Sequence, residues 1–499
     1  MNRIVLRSTP SFLRSACLAA AFCTALTISS SAQFKTLASF NGTNGSYPQY
    51  VSLVQGTDGN LYGTTVTGGS SRFGTVFRMS LGGAITSLYS FCAQGDTCPD
   101  GAYPYAGLLL GTDGVFYGTT WGFGLCSTDC GTVFKITMDG VLTTLHDFAL
   151  TDGANPAGAL TQGTNGDLYG TTEYGGSGNC TNLYVPGCGT IFKISPKQGF
   201  TTLHSFTGAD GWNPNGGVIQ GTDGNLYGTT AQGGAYSGGT IFRITPAGEL
   251  TTLYNFCAQA NCIDGQTPAA ALMQATDGNF YGTTESGGIY TCYYGERTGT
   301  AFKITPTGTL TTIYNFCDGK FPTAPLIGAT DGNLYGTTWE GGAGRYCSGL
   351  FTPGCGTVFK LAPMGVLTML HYFCSEVDCA DGGGLYGGLT QDTNGMFYGI
   401  TIGGGTGEEG AVFRLNGGIG PFIAFVQPTA KVGKSAQILG QGLRGATAVT
   451  FNGVAAASFK VVSDTYMTAI VPSGATTGPV VVTTPSGTLT SSSTFRVTH

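Results

Sequence analysis

The chain has 499 residues, of which 85 are glycine and only 10% are Asp, Glu, Lys or Arg. Its net charge of −6 argues against nucleic acid or an anionic membrane as a partner. Glycine this dense without a Gly-X-Y period argues against collagen, and 11% aromatic residues argue against disorder, which leaves an all-β protein with many tight turns.

Residues 1–32 read as a secretory signal. Arg3, Arg7 and Arg14 precede an apolar run from Ala16 to Ile28, and Ser30-Ser31-Ala32 offers small residues at the cleavage positions. The run is too short to span a bilayer, and Cys23 after Phe22 is a poor lipoprotein site, so no membrane insertion is expected. The mature chain is expected to begin near Gln33, secreted or at the cell surface, and more acidic for the loss of three arginines.

A repeat follows. The word Tyr-Gly-Thr-Thr recurs at Tyr62, Tyr117, Tyr169, Tyr227, Tyr281 and Tyr335, with Tyr-Gly-Ile-Thr at Tyr398. Each copy reads as four short strands. An apolar run such as Val51–Gln55 ends in Asp-Gly or Asn-Gly, the dipeptides that favour a type I′ hairpin. The Tyr-Gly-Thr-Thr strand comes next, then a glycine-rich loop and a third strand such as Gly74–Met79. A fourth, such as Leu250–Phe256, is rich in Thr, Leu and aromatics. The fourth-strand pattern follows six of the words, whereas its seventh occurrence, Phe34–Phe40, precedes them all, and the last copy stops after Gly410–Leu415. An N-terminal strand that completes the last copy closes a circle, so residues 33–417 are predicted to form a seven-bladed β-propeller.

The third strand always carries a cation (Arg78, Lys135, Lys193, Arg243, Lys303, Lys360 and Arg414), read as one structural charge per blade with its aliphatic stem packed between blades. Asp100, Asp152, Asp210, Asp264, Asp318 and Asp381, each before glycine, are read as turn-makers, since none has the spacing of a calcium loop. His146, His204 and His371 stand where other copies have Tyr89, Tyr254 and Tyr314, so they read as structural.

The words D-G-N-L-Y-G-T-T, G-T-V-F-K-I-T and L-T-T-L-Y-N-F resemble the GloVer tandem-repeat family of bacterial secreted proteins over residues 34–416. That resemblance implies no activity. From about 418 to 499 the composition turns to Val, Thr and Ser, with short strands expected at Phe422–Val426, Ala436–Leu439, Ala448–Phe451, Phe459–Val462, Thr468–Val471 and Val480–Thr484. The runs G-A-T-A-V-T-F-N-G-V and V-P-S-G-A-T-T-G-P-V-V-V-T-T-P-S-G resemble an IPT/TIG-type immunoglobulin-like β-sandwich, which implies a spacer or adhesive module.

Fourteen cysteines lie outside the signal, and an even count in an exported chain favours disulfides. The close couples are Cys92/Cys98, Cys126/Cys130, Cys180/Cys188, Cys257/Cys262, Cys347/Cys355 and Cys374/Cys379, leaving Cys292 for Cys317. With no Cys-x-x-Cys and four histidines, neither a metal nor a cofactor is expected. All fourteen fall after a second or a fourth strand, hence on one face of the disc.

Where the repeat departs from itself, on that same face, a binding site is expected. Directly after the Tyr-Gly-Thr-Thr word stand Val66, Trp121, Glu173, Ala231, Glu285, Trp339 and Ile402, with Trp212 in a neighbouring loop and Tyr174, Tyr290, Tyr293, Tyr294 and Tyr346 nearby. Flat rings beside carboxylates suit a non-catalytic protein that binds or adheres to an extended neutral ligand, an extracellular polysaccharide, or to a cell-surface protein. Two alternatives stay open. Glu173, Glu285 and Glu340 would allow a polysaccharide-active hydrolase or lyase, and the aromatics could simply pack loops in a scaffold without a discrete ligand. Gly-x-Ser-x-Gly is absent, and no catalytic residue is assigned.

Overall fold

A computed structural model describes residues 33–498, apart from 94, 96, 125–129, 182–184, 290–296, 318 and 343–354. The expected signal, Cys126, Cys292, Cys347, Asp318, Tyr290, Tyr293, Tyr294 and Tyr346 therefore lie outside the described residues. Among the described residues, apart from short 3₁₀ turns, the regular structure is all β. No helix among the described residues is long and apolar enough to cross a membrane.

Seven four-stranded antiparallel sheets each carry one copy of the word. In the first, the strands are Val54–Gln55, Leu61–Thr65, Thr75–Met79 and Ile85–Ser90, in that order. The innermost strand is shorter than the sequence pattern suggested, because only Val54 and Gln55 join the ladder.

Each letter of the word has a physical task. Tyr62 is fully buried, and its hydroxyl donates to Asp58 of the hairpin turn at 2.9 Å. Gly63 leaves room for the ring of Phe77, which a Cβ would meet at 2.8 Å. Thr64 donates to the Ala106 carbonyl of the next sheet at 3.0 Å, and Thr65 bonds Thr75 across its own sheet at 2.8 Å. The residues of one word thus tie a turn, a sheet and its neighbour together.

The ring is closed by the first strand. Gln33–Ser39 pairs antiparallel with Ala411–Asn416, next to Phe397–Thr401 and Thr390–Gln391, as the seventh sheet. Its register slips between Thr36 and Ala38, opposite Phe413 and Val412. The first sheet has the same bulge opposite Phe77 and Val76, so the strand from the far end of the chain reproduces the local fourth-strand geometry. Phe34 stacks on His371 of the sixth sheet at 3.6 Å, just as Phe200 stacks on His146. Seven apolar clusters each join one of these sheets to the next, and in one of them Leu53, Phe77, Tyr398 and Val412 join the last to the first. At that seam Ile400 replaces the inter-sheet threonine and packs in the apolar cluster.

The charges of the repeat stand at fixed places on the third strand. Lys360 bridges Asp331 at 2.8 Å, and every third-strand cation stands directly opposite the tyrosine of its word, as Arg78 does Tyr62. The aspartates before glycine accept from the fourth strand. Tyr89 bonds Asp100 at 2.8 Å and Tyr254 bonds Asp264 at 2.9 Å, while His146, His204 and His371 bond Asp152, Asp210 and Asp381 at 3.1, 2.9 and 3.1 Å. Histidine and tyrosine are interchangeable there because both bring a hydrogen-bonding tip to the same carboxylate.

Residues 422–498 form two facing four-stranded sheets. One contains Ser435–Leu439 and Tyr466–Ile470, the other Ala448–Phe451 and Val480–Thr484, and Ile438, Met467, Phe451, Val480 and Val482 fill the space between. Four strands absent from the sequence reading, Thr429–Lys431, Val454–Ala455, Gly487–Thr490 and Arg496–Thr498, are short, and only the last buries a residue in the core, Val497, which leaves little alternation to read. This sandwich lies on the face that carries the Asp-Gly turns. Thr465 donates to the Thr57 carbonyl at 3.0 Å, Gln437 to Thr112 at 2.9 Å and Gln427 to Gly163 at 2.8 Å, and Gln441 reaches Thr393 at 3.2 Å.

Candidate functional site

The inner ends of the sheets surround a cavity of ≈ 430 Å³. One position per sheet, three residues before Leu53, Leu108, Leu160, Val218, Leu272, Leu326 and Leu389, lines it all round: Tyr50, Tyr105, Ala157, Asn215, Ala269, Thr323 and Tyr386. Three large rings therefore stand on consecutive sheets, the seventh, first and second. The four facing positions are small, and that difference leaves the space open.

The rings form one continuous arc. Trp121 contacts Tyr105 (5.6 Å between centroids), Tyr105 contacts Tyr50 (6.2 Å), Tyr50 contacts Tyr386 (5.1 Å), Tyr386 contacts Trp339 (4.9 Å) and Trp339 contacts Phe321 (6.2 Å). Tyr50 adopts a left-handed backbone, φ 52°, and keeps 42% of its surface accessible, so it is not simply a core residue. Tyr105, Tyr386, Trp121 and Trp339 are half-buried.

Carboxylates flank the arc. The Trp121 indole N–H donates to Glu173 Oε2 at 3.1 Å. Burial raises the Glu173 carboxyl to about 7, against the smaller opposing effect of that hydrogen bond, and burial also pushes Glu285 up. Glu173 and Glu285 both act on the Tyr50 hydroxyl, whose proton is held more firmly than usual by burial first and then by its neighbours. Among the described residues that line the cavity, two inaccessible oxygens have no partner: Oγ1 of Thr323, only 6% exposed, and Oδ1 of Asn215.

The expected site residues divide accordingly. Trp121 and Glu173 line the cavity, Trp339 packs behind the lining residue Tyr386, and Glu285 acts on Tyr50 and Tyr386, whereas Val66, Ala231 and Ile402, at the same place in other sheets, are buried. Trp212 packs against the core between the third and fourth sheets, outside the cavity lining, and Tyr174 packs between the second and third. Tyr50, Tyr105 and Tyr386 are the functional candidates that the sequence reading missed. Counting back from Leu53, Leu108 and Leu389 would have aligned them.

The couples Cys92–Cys98, Cys180–Cys188, Cys257–Cys262 and Cys374–Cys379 are disulfides. Cys130, Cys317 and Cys355 are also disulfide-bonded, and their expected partners lie outside the described residues. Sulfurs of Cys355, Cys374 and Cys379 come within 4.8 Å of one another, but sulfur held in a disulfide is no thiolate ligand for a metal. Several disulfides suit an oxidising, extracytoplasmic setting.

The Gloeobacter/Verrucomicrobia repeat profile matches residues 22–184 and again 181–352, more than half of the chain. The chain belongs to this repeat family. No curated protein matches it. Among solved structures, a gluconolactonase from Xanthomonas campestris is similar at 11% identity and TM-score 0.37, covering 62% of this chain and 86% of that one. A Bacteroides thetaiotaomicron protein of unknown function has 13% identity and TM-score 0.38, covering 77% and 76%. At these values neither likeness carries an activity to this repeat protein.

Proposed function

We propose that residues 33–417 are a seven-bladed β-propeller and 418–499 an IPT/TIG-type immunoglobulin-like domain, exported behind the signal at 1–32, and that the protein binds polysaccharide at the mouth of the central cavity. The observation that carries this reading is the arc from Trp121 through Tyr105, Tyr50 and Tyr386 to Trp339. A packing role alone gives no reason for the large rings to gather on one side of a hole whose other side is alanine, asparagine and threonine. Half-buried rings fixed at their edges offer flat faces for the apolar side of a sugar, and nearby carboxylates can accept from its hydroxyls.

The deciding experiment is Trp121→Ala with Trp339→Ala. The double variant should keep its melting transition and lose at least about tenfold in retention on insoluble polysaccharides, on the scale expected of interface aromatics. A folded variant retained as well as the parent removes this site. One observation favours cleavage as a second reading: the Glu173 carboxyl, at about 7, holds its proton near neutral pH as a general acid must. Release of reducing ends abolished by Glu173→Gln would support it.

A further inference from the structure

We propose that this cavity selects a ligand carrying a free ammonium group, such as the unacylated amino sugar at the end of a polysaccharide chain. The sugar part of the inference rests on the reading above; the ammonium part rests on the chemistry of the wall.

That chemistry is one-sided. The faces of tyrosine and indole rings carry negative electrostatic potential, which attracts organic cations. The charge brought to the arc is that of Glu173, Glu285 and Glu340, and none of the described lining residues is Lys, Arg or His. The groups facing Glu173 are the Trp121 indole and the hydroxyls of Tyr50 and Tyr105. Those facing Glu285 are the hydroxyls of Tyr50 and Tyr386, and Glu340 also acts on Tyr386. The basic residue beside the arc, Lys320, stands opposite Glu340 in a two-residue antiparallel pair.

Charge complementarity points the same way. An ammonium group has three donors, no acceptor and a positive charge, so it complements the carboxylates beside the arc, whereas a uronic carboxylate would bring a further negative charge and an acetamido group brings no countercharge. Burial raises Glu173 because its charge is poorly solvated, and a cation arriving with the ligand would supply the missing countercharge.

Access favours a chain end. The sandwich bonds to turns of the first, second, third and seventh sheets on the opposite face, so the cavity is approached from the disulfide-bearing side. A volume of ≈ 430 Å³ suits one or two sugar rings.

The test is calorimetric titration of the mature chain with four probes at pH 7. These are a tetrasaccharide of 2-amino-2-deoxyglucose, its N-acetylated counterpart, a tetragalacturonate and tetramethylammonium. The free amine should bind about tenfold tighter than the acetylated form, and Glu173→Gln with Glu285→Gln should erase that difference while the melting transition persists. Tetramethylammonium, whose charge does not titrate, should bind more tightly as pH rises through about 7, where Glu173 ionises. Equal binding of the two glucose-derived probes, or preference for the uronate, overturns the ammonium inference and leaves sugar binding standing. Binding of tetramethylammonium alone sustains the ammonium inference and removes the polysaccharide reading. Silence from all four overturns both.

Discussion

Tyr335 illustrates how much one residue of the word does. Its ring is fully buried against Phe397 of the next sheet, 4.2 Å between centroids, and its hydroxyl donates to Asp331 at 2.9 Å. Asp331 also accepts from Lys360 and Asn333, and its carboxyl is lowered despite a burial effect that opposes this. Tyr335→Phe keeps the packing and removes one charge-assisted bond, so a loss of about 1.5–3 kcal/mol is expected in urea unfolding; an unchanged midpoint would show that the hydroxyl bond contributes nothing. At this scale the repeat made the sequence legible, because a position that should match in seven copies exposes its own exceptions. Trp121, Glu173, Glu285 and Trp339 were singled out as candidates that way. Tyr50 escaped because the approach to its strand holds one residue more between proline and the ring, Pro48-Gln49-Tyr50 against Pro104-Tyr105, and no constant word marks the register.

Among the elements, the strand Gln33–Ser39 does most to define the fold. Without it Ala411–Asn416 would expose a ladder edge and the apolar contacts that Phe34 makes with Phe373 and Phe413. Deleting residues 33–40 should abolish the cooperative melting transition and send the protein into aggregates. A soluble truncation melting with the parent would overturn the closure. The displaced strand was legible because its Leu-x-x-Phe ending, Leu37 to Phe40, could be counted against six others, one of which has Ile313 for the leucine. The edges of the C-terminal sandwich were not, since strands such as Gly487–Thr490 have little buried face to impose an alternation. The innermost strands were overestimated for a related reason. Val51 and Leu53 are buried by the neighbouring sheets, so an apolar run there reports packing as much as pairing.

Across the whole molecule, the ring and the sandwich meet around Asp392. Its residue is fully buried, one oxygen accepts from the Asn394 amide at 2.9 Å and from Gln441 of the sandwich at 3.4 Å, and the other has no partner. Burial raises this carboxyl to about 6, the opposing hydrogen bonds being weaker. A raised acid prefers its proton in the folded state, so stability falls as pH climbs from about 4 through 6 and stays reduced above, by about 3 kcal/mol if the whole shift is realised. Asp392→Asn removes the ionisation and should raise the melting temperature at pH 8 while changing little at pH 4; equal effects at both would show that the charge is irrelevant. The ring closure has a further consequence in time. Of the strands in the ring, the one made first is the last to find its partner, since Gln33–Ser39 must wait, unpaired and half apolar, until Ala411–Asn416 has been made. Every partial chain is thus an open arc with two raw ends, and only the finished one can become a circle.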